Sequence, residues 1–123
     1  MEKQIFYKEV DGITIPYQEL TQWWVLRSMS GITVNGKIYF RDAHKPKSDR
    51  LLRHEYIHVL QQDELGFKKF LLLYCWQWVI GLIKFQKAYL NIKFEREAYA
   101  NQKNIGYLRR RKENNWKNYG VKS

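Results

Sequence analysis

Two histidines four residues apart with a glutamate behind the first, His54, Glu55 and His58 in the segment HEYIH, are the residues of this chain best spaced for chemistry. On a helix, positions i and i+4 lie one above the other on the same face. Two imidazoles so placed can approach one tetrahedral zinc ion at about 2.0–2.1 Å each. Glu55, one residue beyond the first histidine, can then reach a water held by that ion without displacing it. Zinc lowers the pKa of such a water to about 7; the carboxylate takes the proton as the water attacks a carbonyl, and can return it to a leaving amine. The competing reading is an ordinary helix whose histidines are hydrogen-bonded without metal.

The motif needs a helix, and its surroundings supply one. Ser48 is a suitable N-cap, Asp49 suits the positive end of the helix dipole, and Gly66 is a suitable stop, which predicts a helix over about residues 49–65 with Leu52, Tyr56, Val59 and Leu60 facing the core. Upstream, QIFYKEV, Asp11-Gly12 and ITIP read as one β-hairpin, and ITV, Asn35-Gly36 and KIYFRD as a second, because such two-residue turns need positive φ. The intervening PYQELTQWWVLRSMSG reads as a helix ending near Gly31, although Trp23, Trp24 and Val25 also suit a strand. Downstream, the apolar run from Phe70 to Ile83 is shorter than the roughly 20 residues of a membrane span. It predicts a buried central helix; the alternative is a helix lying in a membrane surface, for which Trp76, Trp78 and the flanking lysines are the expected signs. A last helix is expected from about Phe94 past Tyr107. These elements make an α+β fold, one or two N-terminal hairpins packed on three helices, in a single domain spanning residues 1–123 with a basic tail from about residue 109.

Composition restricts the classes further. With 123 residues there is room for one core. The formal net charge of +10, partly concentrated in the run Arg109 to Lys112, favours anionic partners: nucleic acid, acidic lipid surfaces or acidic proteins. The lone Cys75 excludes an internal disulfide framework and, set in the apolar run, is expected to be a buried structural thiol. Glu2 and Glu9 stand where a secretory signal would carry a basic patch and an apolar run, so no signal peptide is expected and the location is read as cytoplasmic, with membrane association as an option. The glycines are scattered singly, which excludes a glycine-rich phosphate loop.

HEYIHVLQQ resembles the active-site helix of zinc metallopeptidases. The metzincin form of that helix needs a glycine at position 61 and a histidine at 64; this chain has Gln61 and Glu64, and Glu64 is expected to point away from the metal. The chain is more similar to the gluzincins, which take a glutamate from a later helix in the pattern Glu-x-x-Ala/Ser followed by Asp or Asn. FEREAYANQ holds that pattern in two registers. Glu97 with Ala100 and Asn101 is the fuller match, and the resemblance implies Glu97 as third zinc ligand and Asn101 as hydrogen-bond partner of a ligand histidine; Glu95 with Ala98 is the alternative. Gln61 and Gln62 also lie on or near the metal face. The resemblance further implies a hairpin before the active-site helix whose edge strand holds an extended peptide, here Lys37 to Arg41. It looks like a small bacterial member of the group without a C-terminal domain to supply an oxyanion donor, a role open to Tyr99 or Tyr107. His44 is expected in a surface loop.

The expected function is zinc-dependent hydrolysis of a peptide or protein substrate, with peripheral membrane contact through Trp76, Trp78 and the basic tail. The rival is a catalytically silent zinc-binding module that holds an anionic membrane surface or nucleic acid. A structural zinc site closes with four protein ligands, and the sequence offers an obvious three, which favours an open catalytic position.

Overall fold

A computed structural model describes residues 4–20, 31–84 and 92–119. The fold is α+β, with four strands in one sheet ahead of the helices. Strands β1 (Ile5–Val10) and β2 (Ile13–Glu19) form the first hairpin, and β3 (Gly31–Val34) and β4 (Lys37–Phe40) the second. Both turns use the expected residues: Asp11 and Gly12 at φ 54° and 77°, Asn35 and Gly36 at 50° and 77°. The hairpins join through parallel pairing of β2 with β4, Gln18 opposite Tyr39 and Glu19 opposite Phe40. The strand order β1-β2-β4-β3 therefore puts β3 at an edge and β4 inside the sheet, reversing the expectation that Lys37 to Arg41 is the exposed strand. Gly31 matters here for closeness: a Cβ on it would meet the Phe40 ring at 2.5 Å.

Helix α1 (Asp49–Leu65) matches its expected bounds, with the Ser48 hydroxyl accepting from the Leu51 amide at 3.1 Å and Gly66 ending it at φ 81°. Its apolar side, Leu52 and Ile57, packs on Val10, Ile15, Tyr17, Ile38 and Phe40 of the sheet. Its other sides carry Arg53, His54, Glu55, His58, Gln61 and Gln62, all buried. Gln62 clamps the second hairpin, its amide nitrogen donating to the Thr33 carbonyl at 2.9 Å while its oxygen accepts from the Gly36 amide at 2.7 Å.

Helix α2 (Phe67–Ile83) overturns the expectation of a buried central helix. Only Phe70 and Gly81 are buried on it, whereas Leu72 is 73% and Trp76 61% exposed; Cys75 is exposed too, not a core thiol. One stripe, through Phe70, Leu73 and Tyr74, joins a second small core with Ile92, Phe94 and Trp116. The central helix is α1, because its buried polar groups find partners on both sides.

The expected last helix is broken in two. Helix α3 (Lys93–Asn101) ends before the turn that carries Gly106 at φ 83°, and the short α4 (Tyr107–Arg110) leads to a 3-10 helix at Asn115–Tyr119. The basic segment is thus not a free tail. The Arg111 side chain is buried, its guanidinium bonding Glu64 at 2.9 and 3.0 Å and Glu97 at 2.6 and 3.0 Å. The helix or strand expected between Pro16 and Gly31 falls largely on residues 21–30, outside the described residues; its first four residues belong to β2.

Candidate metal centre

Helical spacing sets His54 and His58 side by side on α1, with ring centroids 5.0 Å apart. Their Nε2 atoms face α3, and the carboxylate that meets them belongs to Glu95. Its Oε1 lies 2.9 Å from His58 Nε2 and 3.3 Å from His54 Nε2. His54, His58 and Glu95 are all buried and could hold a metal ion with one donor atom each, all within 4.8 Å of one another. Tetrahedral zinc at about 2.0–2.1 Å puts its donors roughly 3.3–3.4 Å apart, so the histidine-to-glutamate spacing is near what such an ion needs. Two neutral imidazoles and one carboxylate are also a donor set that zinc accepts.

The preference for Glu97 is corrected by this geometry. Residues 95 and 97 are about 200° apart around a helix, so only one of them can face α1's histidines. Glu97, fully buried, turns to Arg111, to the Tyr107 hydroxyl at 2.6 Å and to the Gln61 amide at 2.9 Å. An ion pair with a buried guanidinium is a full alternative use for that carboxylate. Asn101 is corrected with it: its amide donates to the Glu97 carbonyl and the Tyr119 hydroxyl, not to a histidine.

The histidines have other partners. His54 Nδ1 donates to Gln102 Oε1 at 2.9 Å, and His58 Nδ1 donates to Gln61 Oε1 at 2.8 Å. With the hydrogen on Nδ1 kept in this way, release of the Nε2 proton would leave that lone pair facing the centre, the usual arrangement for a ligand histidine. Gln61 was within reach of sequence reasoning, three residues along the same helix. Gln102 follows α3 and was not singled out. Two more groups had no local signal. The Tyr74 hydroxyl donates to Glu95 Oε2 at 2.9 Å, and Thr33 Oγ1 on β3 donates to Glu55 Oε1 at 3.0 Å.

Charge balance supports the geometry. Burial alone would lower the His58 pKa, but the nearby Glu95 carboxylate, with help from Glu55, raises it to about 9. Burial likewise pushes the Glu95 carboxyl up, and the two histidines outweigh it, holding the group well below the usual carboxylate range. Burial and then Glu95 push the Tyr74 hydroxyl far up, so it stays a donor. The cluster is a negative group clamped among donors, which a divalent cation can take over from the protons.

Glu55 completes the site, its Oε2 lying 4.0 Å from His54 Nε2. A cleft of about 780 Å³ opens over these groups, walled by Gly31 to Val34 of β3, by Phe67, Leu71, Tyr74 and Trp78 of α2, and by Tyr99. Tyr99 stands edge-on to His54 at 4.6 Å, whereas Tyr107 is buried on Glu97, away from the cleft. His44 is exposed in the loop before α1, as expected. Glu64 points to Arg111, away from the histidines.

No protein-family model, no characterised protein and no solved structure matches the chain.

Proposed function

We propose that the chain is a zinc-dependent peptidase of gluzincin-like design in which Glu95 is the third ligand. The observation that carries this reading is the meeting of His54, His58 and Glu95 at the base of a cleft, with the Glu55 carboxylate beside them. When bound there, zinc would supply Lewis acidity to a substrate carbonyl and to a water, with a coordination position left for them because the protein donors number three.

The remaining steps fall to side chains of the chain. Glu55 takes a proton from the attacking water and delivers it to the leaving amine. Thr33 holds one of its oxygens, which fixes the other on the histidine side of the cleft. Glu95 and the two glutamines fix the imidazoles, so little reorganisation is needed during reaction. Tyr99 at the cleft wall is the proposed donor to the carbonyl oxygen as negative charge grows there. An extended peptide would pair with β3, the edge strand that lines the cleft, and place an apolar side chain against Phe67, Leu71 and Trp78.

The test is elemental analysis of protein purified without chelator, followed by a peptidase assay of the parent and Glu55→Gln. About one zinc per chain in both, with cleavage only in the parent, is expected. Zinc retained and no cleavage of any extended peptide by the parent would favour the silent binding module. No metal taken up when zinc is supplied would sink the metal reading altogether.

A further inference from the structure

Helix α2 poses a question that the metal centre does not answer. Past Lys68 and Lys69 in its first turn it carries a single polar residue, Gln77, a pattern that belongs to helices covered on every side. Yet its outer half carries Leu71, Leu72, Trp76, Trp78, Leu82 and Ile83, each at least 45% exposed. With 100° per residue these positions fill roughly half of the helix surface, on the side away from Phe70 and Gly81. Single exposed apolar residues are ordinary; a contiguous face of this size marks a contact surface.

The charges say which contact. Between Leu65 and Phe94 the sequence has five lysines and neither aspartate nor glutamate. Lys68 and Lys69 stand exposed at the start of α2 and Lys84 exposed just past its end. If two copies met through this face, an antiparallel arrangement would set Lys68 and Lys69 against Lys84, and a parallel one would set each against itself. Both juxtapose like charges, on chains that each carry a formal net charge of +10. An anionic bilayer surface answers both features at once: lipid headgroups take the lysines, and the acyl boundary takes the apolar face, with tryptophan at the level where the two meet. Among the described residues no helix is long and apolar enough to cross a membrane, so α2 would lie in the surface plane.

We infer that the outer face of α2 is a docking surface for anionic membrane. Leu71 and Trp78 belong both to this face and to the cleft wall. Docking therefore sets the cleft mouth at the lipid boundary, and if the peptidase reading holds, its substrates are polypeptide segments at that boundary. The docking itself needs neither metal nor turnover, so it stands or falls separately from that reading.

The experiment is sedimentation of the full-length chain with vesicles of phosphatidylcholine alone, and of phosphatidylcholine and phosphatidylglycerol in equal parts, with tryptophan emission read alongside. Binding to the mixed vesicles with a shift of emission to shorter wavelength is expected, and much weaker binding to the neutral ones. Leu72→Glu should reduce binding more than tenfold, since it removes an inserted side chain and adds a repelled charge. Lys68→Gln and Lys69→Gln should each weaken it about fivefold, and these decide the matter if circular dichroism finds Leu72→Glu misfolded. Arg109→Gln with Arg110→Gln should leave the emission shift in place. Failure of the folded parent to sediment overturns the inference. So does equal binding by Leu72→Glu, which would move the surface elsewhere, or a solution dimer that Leu72→Glu dissociates while vesicles are ignored.

Discussion

Glu95 and Glu97 stand two residues apart on one short helix, both buried, and the assignment of the metal centre depends on their doing different things. Glu97→Ala leaves the Arg111 guanidinium, with its side chain 3% exposed, with only one of its two carboxylates. It also removes the acceptor for the Tyr107 hydroxyl and one of two acceptors for the Gln61 amide, which keeps the Phe94 carbonyl. Breaking a buried ion pair from one side costs about 3–5 kcal/mol; because Glu64 keeps two bonds to Arg111, the expected loss is at the low end, about 3 kcal/mol. For a domain near this size that lowers Tm by roughly 12 °C. Glu95→Gln keeps volume and an acceptor for Tyr74 but removes the charge that faces both histidines. Changing a residue that merely orients a ligand costs about 10–100-fold in metal affinity, so loss of the ligand should exceed 100-fold. The assay is urea unfolding of metal-free protein beside zinc competition titrations. Glu97→Ala should be unstable yet still take one zinc at saturation; Glu95→Gln gives up its pairing with the two histidines, so it should lose stability as well, but unlike Glu97→Ala it should bind zinc poorly. If Glu97→Ala is stable and loses zinc, or Glu95→Gln binds zinc as the parent does, the assignment is wrong.

Three further outcomes follow from the same geometry. Gln61→Leu frees His58 Nδ1 and should weaken zinc about 10–100-fold with a smaller loss of stability than Glu97→Ala; unchanged zinc affinity would mean that the glutamine orients nothing. Gln62→Ala cuts two hydrogen bonds between α1 and the second hairpin and should cost roughly 1–3 kcal/mol, with faster amide exchange at Gly36; no change in either measurement counts against the clamp. Asp11 is held at about 2 against an ordinary 3.8, chiefly by its hydrogen bond to Arg53, against the opposing effect of burial and with help from the Gly106 and Leu108 amides. A depressed carboxyl stabilises the fold above its unfolded pKa, so about 2 kcal/mol should be present above pH 3.8 and be lost as pH falls towards 2. Asp11→Asn should lack that part of the acid limb in urea midpoints measured against pH, and an identical limb would refute the linkage.

The parts of this molecule that sequence reasoning reached are those specified locally. Helix α1 was bounded by Ser48 and Gly66, both hairpin turns by Asp11-Gly12 and Asn35-Gly36, and HEYIH lay on the helix that carries it. What escaped was set by contacts distant along the chain. Burial of α1 and exposure of α2 run against simple hydropathy: the polar residues of α1 are buried because Thr33, Glu95, Gln102 and Asp11 meet them. Glu97 matched the family pattern more fully than Glu95, but the pattern holds no record of Arg111, one of three successive arginines, reaching back to claim it. Arg109 and Arg110 beside it stay exposed.

The Asp11 turn carries one more consequence. Its carboxylate accepts from Arg53 at 2.9 and 3.0 Å and from the Gly106 amide at 2.8 Å, and Arg53 in turn donates to the Gln102 carbonyl at 2.8 Å, on the residue that orients His54. Asp11 and Gly106 are 95 positions apart in sequence, and closing so wide a loop is among the slower steps available to a small domain. A chain emerging from the ribosome displays HEYIH long before Glu95, Gln102 or Gly106 exists. The cluster therefore assembles late: on the proposed zinc reading, metal capture of full strength would wait until the first hairpin and the α3–α4 turn have met across Arg53, so a half-made chain would carry the motif without its grip.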